Sequence, residues 1–142
     1  MERLPTSPQH NMPTPISDTH KGLIDRFGRR VSYVRLSVTD RCNFRCVYCM
    51  PAEGVQLKPS RELLSYEEIE QVVGALAACG IERVRVTGGE PLVRRQLPTL
   101  IARLTAIAGI REVVLTTNGT LLARDAEALR AAGLASVTVS LD

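Results

Sequence analysis

Residues 83–117, RVRVTGGEPLVRRQLPTLIARLTAIAGIREVVLTT, contain a strand, a helix and a second strand in succession. The segments 83–87 and 112–117 are short and rich in β-branched residues, which is typical of strands. Between them, residues 96–108 repeat apolar side chains at helical spacing and precede Gly109, which predicts a helix that ends there. Two strands joined by a helix in this way form a right-handed crossover unit with parallel strands.

The same alternation extends in both directions from this unit. Residues 31–38 and 136–141 predict two further strands, and a third helix is predicted over 124–132. Ser65 followed by Glu68 predicts a capping box at the start of the first helix. Strands that alternate with helices favour an α/β fold, so we expect about four parallel strands and three helices.

Side chains within each predicted strand alternate between aliphatic and polar. The aliphatic set, expected to face the helices, comprises Val34, Leu36, Val38, Val84, Val86, Val113, Leu115, Val137, Val139 and Leu141. The opposite set is polar except for Val114, and comprises Arg35, Ser37, Thr39, Arg85, Thr87, Thr116, Asn118, Thr138, Ser140 and Asp142. Parallel sheets are seldom exposed on one face, so a polar face shared by four strands predicts the lumen of a barrel. If only one strand is considered, its polar side chains could equally lie on the solvated face of an open sheet. The two arginines on this face suit an anion such as phosphate.

Three cysteines follow the first predicted sheet strand with the spacing C-x3-C-x2-C, at Cys42, Cys46 and Cys49. Three thiolates this close together can hold three corners of one iron–sulfur cubane and leave the fourth iron open to a small molecule. A structural zinc site is the alternative, but it needs a fourth ligand. Both histidines lie in the N-terminal tail, and Cys79, at the end of the first helix, is expected to be buried by packing.

The composition is that of an ordinary globular protein, with 142 residues, 44% hydrophobic residues, 23% charged residues and a net charge of +3. No apolar run is long enough to span a membrane. Residues 1–22 form a Pro-rich segment without a secretory signal, so we expect a flexible tail on a cytoplasmic protein. Thiols stay reduced in the cytoplasm, which favours metal binding over disulfides.

The cysteine motif, with Tyr48 before the last cysteine, resembles the signature of the radical S-adenosylmethionine superfamily. Within that superfamily, four longer stretches resemble the GTP 3′,8-cyclase family of molybdenum cofactor biosynthesis. The stretches are DRFGRRVSYVRLSVTDRCNFRCVYCMP (25–51), RVTGGEPLVRR (85–95), LTTNG (115–119) and VSLD (139–142). The resemblance covers residues 23–142 and implies the first part of a partial TIM-type barrel, with its site at the carboxyl ends of the strands.

The resemblance also implies two cofactors, a 4Fe-4S cluster and S-adenosylmethionine, and GTP as the substrate. The residues that match cluster ligands are Cys42, Cys46 and Cys49. The residues that match S-adenosylmethionine contacts are Tyr48, Gly89 and Ser140. The residues that match GTP contacts are Arg35, Arg85 and Thr116. No side chain is predicted to act as an acid, base or nucleophile.

In that family, a 5′-deoxyadenosyl radical abstracts hydrogen from C3′ of GTP, and the lyase reaction gives (8S)-3′,8-cyclo-7,8-dihydroguanosine 5′-triphosphate. The resemblance implies an electron donor as a partner, no nucleic acid and no membrane, and it leaves a homodimer as one option. The family's second cysteine group and its terminal glycine pair do not occur in these 142 residues, so we expect the chain to be the N-terminal portion of a radical SAM domain. A radical enzyme with another substrate and a non-catalytic metal-binding module are the alternatives.

Overall fold

The computed structural model describes residues 22–49, 51 and 53–141, so the expected tail over residues 1–22 lies outside the described residues except for Gly22. The strands are β1 (Leu23–Ile24), β2 (Arg30–Val31), β3 (Tyr33–Ser37), β4 (Arg83–Thr87), β5 (Glu112–Thr117) and β6 (Ser136–Val139). The helices are α1 (Tyr66–Ala78), α2 (Leu97–Thr105) and α3 (Leu122–Ala131), and two short 3-10 helices span Ser60–Glu62 and Pro91–Val93.

Strands β3 to β6 form one parallel sheet in sequential order. The α/β class with four parallel strands and three helices is therefore confirmed. Strand β1 pairs antiparallel with β2 in a separate two-stranded sheet. Since each connection between neighbouring parallel strands runs through a helix, the carboxyl ends of all four strands lie at the same edge of the sheet.

The hydrophobic core lies between the sheet and the three helices. Its buried members are Val38, Ile69, Val73, Val84, Val86, Leu92, Leu97, Leu100, Ile101, Leu104, Val113, Leu115 and Leu129. All three helices contribute to this one cluster, so they cover the same sheet face and leave the polar face on the other side. The predicted aliphatic face is confirmed except at its end, because Val139 is 40% exposed and Leu141 is 90% exposed. Both lie at the sheet edge, away from the buried cluster, and Asp142 lies outside the described residues.

Several predicted bounds differ from the structure, including the end of the last strand, which was predicted at residue 141 and lies at Val139. The strand predicted over residues 31–38 is split, because Val31 pairs with β1 whereas the chain from the Ser32 carbonyl onward bonds to Glu82 and β4. The predicted helix over 96–108 is shorter at both ends. Gln96 has a left-handed φ of 57° before α2, and a turn that reaches Gly109 (φ 96°) follows it.

The start of α1 was predicted correctly. The Ser65 hydroxyl accepts from the Glu68 amide at 3.1 Å, and the Glu68 carboxylate accepts from the Ser65 amide at 2.7 Å. Cys79, however, is exposed rather than buried. It caps the carboxyl end of α1, where its carbonyl accepts from the Leu23 amide at 3.1 Å.

Helix α3 begins two residues before its predicted start at Arg124. Within the described residues, no helix is long and apolar enough to cross a membrane.

Candidate functional site

The three predicted cluster ligands lie in one segment, residues 42–49, which we call the cysteine loop. It follows β3 at the carboxyl edge of the sheet, and its thiols are free. Cys42 and Cys46 are half-buried and Cys49 is exposed. A turn joins the Cys49 amide to the Cys46 carbonyl at 3.0 Å. The loop brings the thiols into one short segment, but no three His, Cys, Asp or Glu side chains among the described residues are gathered into a metal site.

The chemistry of this donor set fits an iron–sulfur cluster. The Phe44 amide already donates to the Cys42 sulfur at 3.4 Å, and such N–H bonds to sulfur stabilise a metal-bound thiolate. A cleft of about 520 Å³ adjoins the loop, and its lining residues are Arg41, Cys42, Arg45, Glu53, Gly54, Val55, Leu57 and Val93. Three thiols without a histidine among the described residues suit a cluster with three protein ligands better than a four-ligand zinc site.

Gly88 and Gly89, which follow β4, support the backbone that leads into the cysteine loop. The Gly89 amide donates to the Thr39 carbonyl at 2.7 Å, and the Glu90 amide donates to the Arg41 carbonyl at 2.8 Å. A Cβ on Gly88 would lie 2.7 Å from the Thr39 carbonyl oxygen, and one on Gly89 would lie 2.3 Å from that of Arg41. Close backbone approach therefore requires both glycines, independently of any cofactor contact.

Glu90 is a site residue that sequence reasoning missed. Its side chain is almost fully buried, at 1% exposure. One carboxylate oxygen accepts from the Leu92 amide at 3.0 Å and the Thr117 hydroxyl at 2.7 Å, and the other accepts from the Asn118 amide at 2.7 Å. These bonds tie the end of β4 to the end of β5. The glycine pair followed by an acidic residue at a strand end was the available signal, but glutamate is rarely buried and the sequence does not reveal its partners.

Arg35 and Arg85 are paired in register on neighbouring strands, on the polar face of the sheet. Arg85 is half-buried, and its guanidinium donates to three neutral hydroxyls: Tyr33 at 2.5 Å, Thr116 at 2.9 Å and Thr138 at 3.0 Å. No carboxylate of the described residues forms an ion pair with either arginine. Three of the sequence-predicted site residues, Arg35, Arg85 and Thr116, are thus brought together, and the guanidinium charge of Arg85 is oriented without being neutralised.

The remaining predicted residues lie along the carboxyl edge. Tyr48 is 73% exposed in the turn between Cys46 and Cys49. Ser140 follows β6, is exposed, and donates its amide to the Thr117 carbonyl at 2.9 Å. Tyr48, Gly89 and Ser140 therefore come from segments that follow β3, β4 and β6 at one edge of the sheet.

The chain matches the family model described as the Radical SAM superfamily over residues 36–142. Among curated relatives, the GTP 3′,8-cyclase of Geobacter sulfurreducens is 56% identical over 120 residues, which cover 84% of this chain and 37% of that protein. The GTP 3′,8-cyclases of Xanthomonas axonopodis pv. citri and Peptoclostridium acidaminophilum are 57% and 48% identical over 83% and 88% of this chain. The chain spans 36% to 38% of the length of these relatives.

Among solved structures, BtrN in complex with AdoMet and 2-DOIA superposes with a TM-score of 0.60 and 22% sequence identity, over 78% of this chain and 46% of that one. BtrN in an open conformation superposes with a TM-score of 0.58, over 78% of this chain and 50% of that one. At this level of identity the likeness concerns the fold, and it agrees with the parallel sheet and the helices on one face.

Proposed function

This chain belongs to the radical SAM superfamily, and we propose that it forms the cluster-binding part of a GTP 3′,8-cyclase. One observation carries the proposal. Three free thiols lie in the loop that follows β3, beside a sheet face on which Arg85 donates its hydrogen bonds to hydroxyl groups. The identity of 48% to 57% with proteins of that activity supports the choice of reaction.

The proposed ligands of the 4Fe-4S cluster are Cys42, Cys46 and Cys49. Held by these residues, the cluster would supply the electron for reductive cleavage of S-adenosylmethionine. The Phe44 amide holds the Cys42 sulfur in place by its hydrogen bond. We assign the S-adenosylmethionine contacts to Tyr48, Gly89 and Ser140, which follow three strands at the same edge.

We assign GTP to the polar sheet face through Arg35, Arg85 and Thr116. A guanidinium bonded only to neutral oxygens keeps its full positive charge available for a phosphate, and charge-assisted bonds of this kind are stronger than neutral ones. The hydroxyls that orient Arg85 also reduce the side-chain entropy that would be lost on binding. The proposal also includes an electron donor as a partner and a cytoplasmic location. It includes a homodimer as one form of assembly and no nucleic-acid or membrane partner.

Anaerobic reconstitution with iron and sulfide tests the cluster. We expect the chain to take up both elements in a 4Fe-4S ratio and to show an EPR signal that changes when S-adenosylmethionine is added. Cys46→Ala should abolish uptake, whereas Cys79→Ala, at an exposed thiol outside the loop, should leave it intact. A colourless protein, or a spectrum indifferent to S-adenosylmethionine, would contradict the proposal, and zinc without iron would favour a non-catalytic metal-binding module.

A GTP titration of the reconstituted protein tests the substrate. Arg85→Ala should weaken GTP binding by about tenfold or more, as expected for loss of a charged hydrogen bond of about 1.5–3 kcal/mol, and should leave the iron content unchanged. Arg83→Ala is the matched control, because Arg83 lies on the same strand but is ion-paired with Glu112. A second assay uses an enzyme with the full length of the relatives. If it forms 5′-deoxyadenosine only in the presence of another substrate, GTP is excluded as the substrate.

A further inference from the structure

Three polar side chains form a closed hydrogen-bonded ring beside the cysteine loop. The side-chain amide of Asn43 donates to the Thr120 hydroxyl at 2.8 Å, and that hydroxyl donates to the side-chain oxygen of Asn118 at 2.7 Å. The side-chain amide of Asn118 in turn donates to the side-chain oxygen of Asn43 at 2.8 Å. Each side chain donates once and accepts once around the circuit. We call these three residues the Asn–Thr ring.

The ring joins segments that are far apart in the sequence. Asn43 directly follows Cys42, whereas Asn118 and Thr120 lie in the connection from β5 to α3. The β5 side of the ring is well fixed, because the backbone amide of Asn118 donates to the buried Glu90 carboxylate. The backbone amide of Thr120 also donates to the Asn118 side chain, at 3.1 Å. The cysteine loop is therefore held from the side, through the residue after its first cysteine.

The same strand end also carries a substrate-side contact. Thr116, whose hydroxyl accepts from Arg85, is two residues before Asn118. Strand β5 ends at Thr117, so Asn118 directly follows the strand at its carboxyl end. The ring consequently joins the cysteine loop to the connection that leaves β5, two residues beyond the threonine that contacts Arg85.

We propose that Asn43, Asn118 and Thr120 are positioning residues that hold the cysteine loop in its cluster-binding arrangement. The proposal rests on the proposed function for the identity of the cluster, but the restraint on the loop is a property of this chain by itself. Two cysteines of the loop, Cys42 and Cys46, are half-buried. Releasing the loop therefore exposes their thiols further, whether or not iron is bound.

Thr120→Val and Thr120→Ser form a matched pair for the test. Valine has nearly the shape of threonine but can neither donate nor accept, so it opens the ring at two of its bonds. Serine retains the hydroxyl and should retain the ring. Thr99→Val, at an exposed threonine in α2, controls for the loss of a hydroxyl elsewhere. Thermal unfolding of each variant verifies that it is folded.

The first measurement is the alkylation rate of each thiol in the metal-free chain, resolved by mass spectrometry. We expect Thr120→Val to raise the rates at Cys42 and Cys46 by about fivefold, the factor that corresponds to about 1 kcal/mol of lost hydrogen bonding. Cys79 is the internal control and should not change. Thr120→Ser and Thr99→Val should react like the wild type, and equal rates in Thr120→Val would refute the proposal.

The second measurement is the rate of iron loss to a chelator, with the EPR spectrum recorded before and after addition of S-adenosylmethionine. Thr120→Val should lose iron about fivefold faster, and Asn43→Ala combined with it should add little, because both act through one ring. If the wild type binds no cluster while the alkylation rates still shift, the proposed function fails and the loop restraint stands. If the wild type binds a cluster and Thr120→Val behaves identically, the ring proposal alone fails.

Discussion

Gly89→Ala tests how tightly the backbone after β4 supports the cysteine loop. A Cβ at this position would lie 2.3 Å from the Arg41 carbonyl oxygen and 2.6 Å from its carbonyl carbon. Both are backbone atoms, so no side-chain rotation relieves the overlap and one of the two segments must shift. Overpacking of this kind costs about 1–3 kcal/mol, and weakening of the hydrogen bond from the Glu90 amide to Arg41 costs about 0.5–1.5 kcal/mol more.

Urea and thermal unfolding of the metal-free chain measure this loss without a contribution from any cofactor. We expect the free energy of unfolding to fall by about 2–4 kcal/mol, which for a domain of this size lowers the melting temperature by about 6–12 °C. Gly74→Ala is the control, because Gly74 lies inside α1 with nothing within 4 Å of a built Cβ. There, alanine should stabilise the helix by about 1 kcal/mol. The steric reasoning is refuted if Gly89→Ala unfolds together with the wild type.

Three further substitutions probe the supports of the site. Glu90→Gln should lower the free energy of unfolding by about 1–3 kcal/mol, since its new NH2 group faces a backbone N–H donor. Glu62→Gln, at an exposed residue, is the control and should be neutral. Equal melting temperatures for Glu90→Gln and the wild type would contradict the buried network. Leu104→Ala, at a fully buried residue of α2, should cost about 2–5 kcal/mol in urea unfolding, and a smaller loss would mean that the core collapses into the cavity. Burial raises the pKa of Tyr66 above its ordinary value of 10.0, although Arg94 opposes this. The unfolded chain therefore ionises first, so the wild type should lose stability relative to Tyr66→Phe as the pH rises through about 10, and parallel pH profiles would exclude the effect.

The sheet could be predicted from the sequence because its strands carry a strict alternation. Strands β4 and β5 have the predicted bounds, since β-branched residues fill one face and the neighbouring turns contain glycine. The first predicted strand was less regular. No periodicity indicates that the Ser32 carbonyl bonds to two amides 50 or more residues later, so the break between β2 and β3 depends on tertiary structure.

The sequence indicates the three thiols and the two arginines of the polar face as candidate site residues, but not the groups that support them. Spacing locates Cys42, Cys46 and Cys49, because a cluster motif is local in the sequence. Glu90 and the Asn–Thr ring make contacts across 27 to 77 residues, and their partners depend on how three loops meet at the carboxyl edge. The predicted burial of Cys79 failed because position at the end of a helix does not determine which side of the helix is covered.

Two arginines of β4 differ in their partners, and the difference supports the proposal that the polar face binds an anion. Arg83 and Arg85 are two residues apart and share one face of the strand. Arg83 pairs with Glu112, its register partner on β5. The register partner of Arg85 is Val114, and its three hydrogen bonds go to uncharged hydroxyls. Arg83 is exposed and has a carboxylate partner, whereas the more buried Arg85, where an unpaired charge is more costly, has none among the described residues. The hydroxyls orient the Arg85 guanidinium, and no carboxylate of residues 22–49, 51 and 53–141 pairs with it, which supports the proposal that this face binds a phosphate.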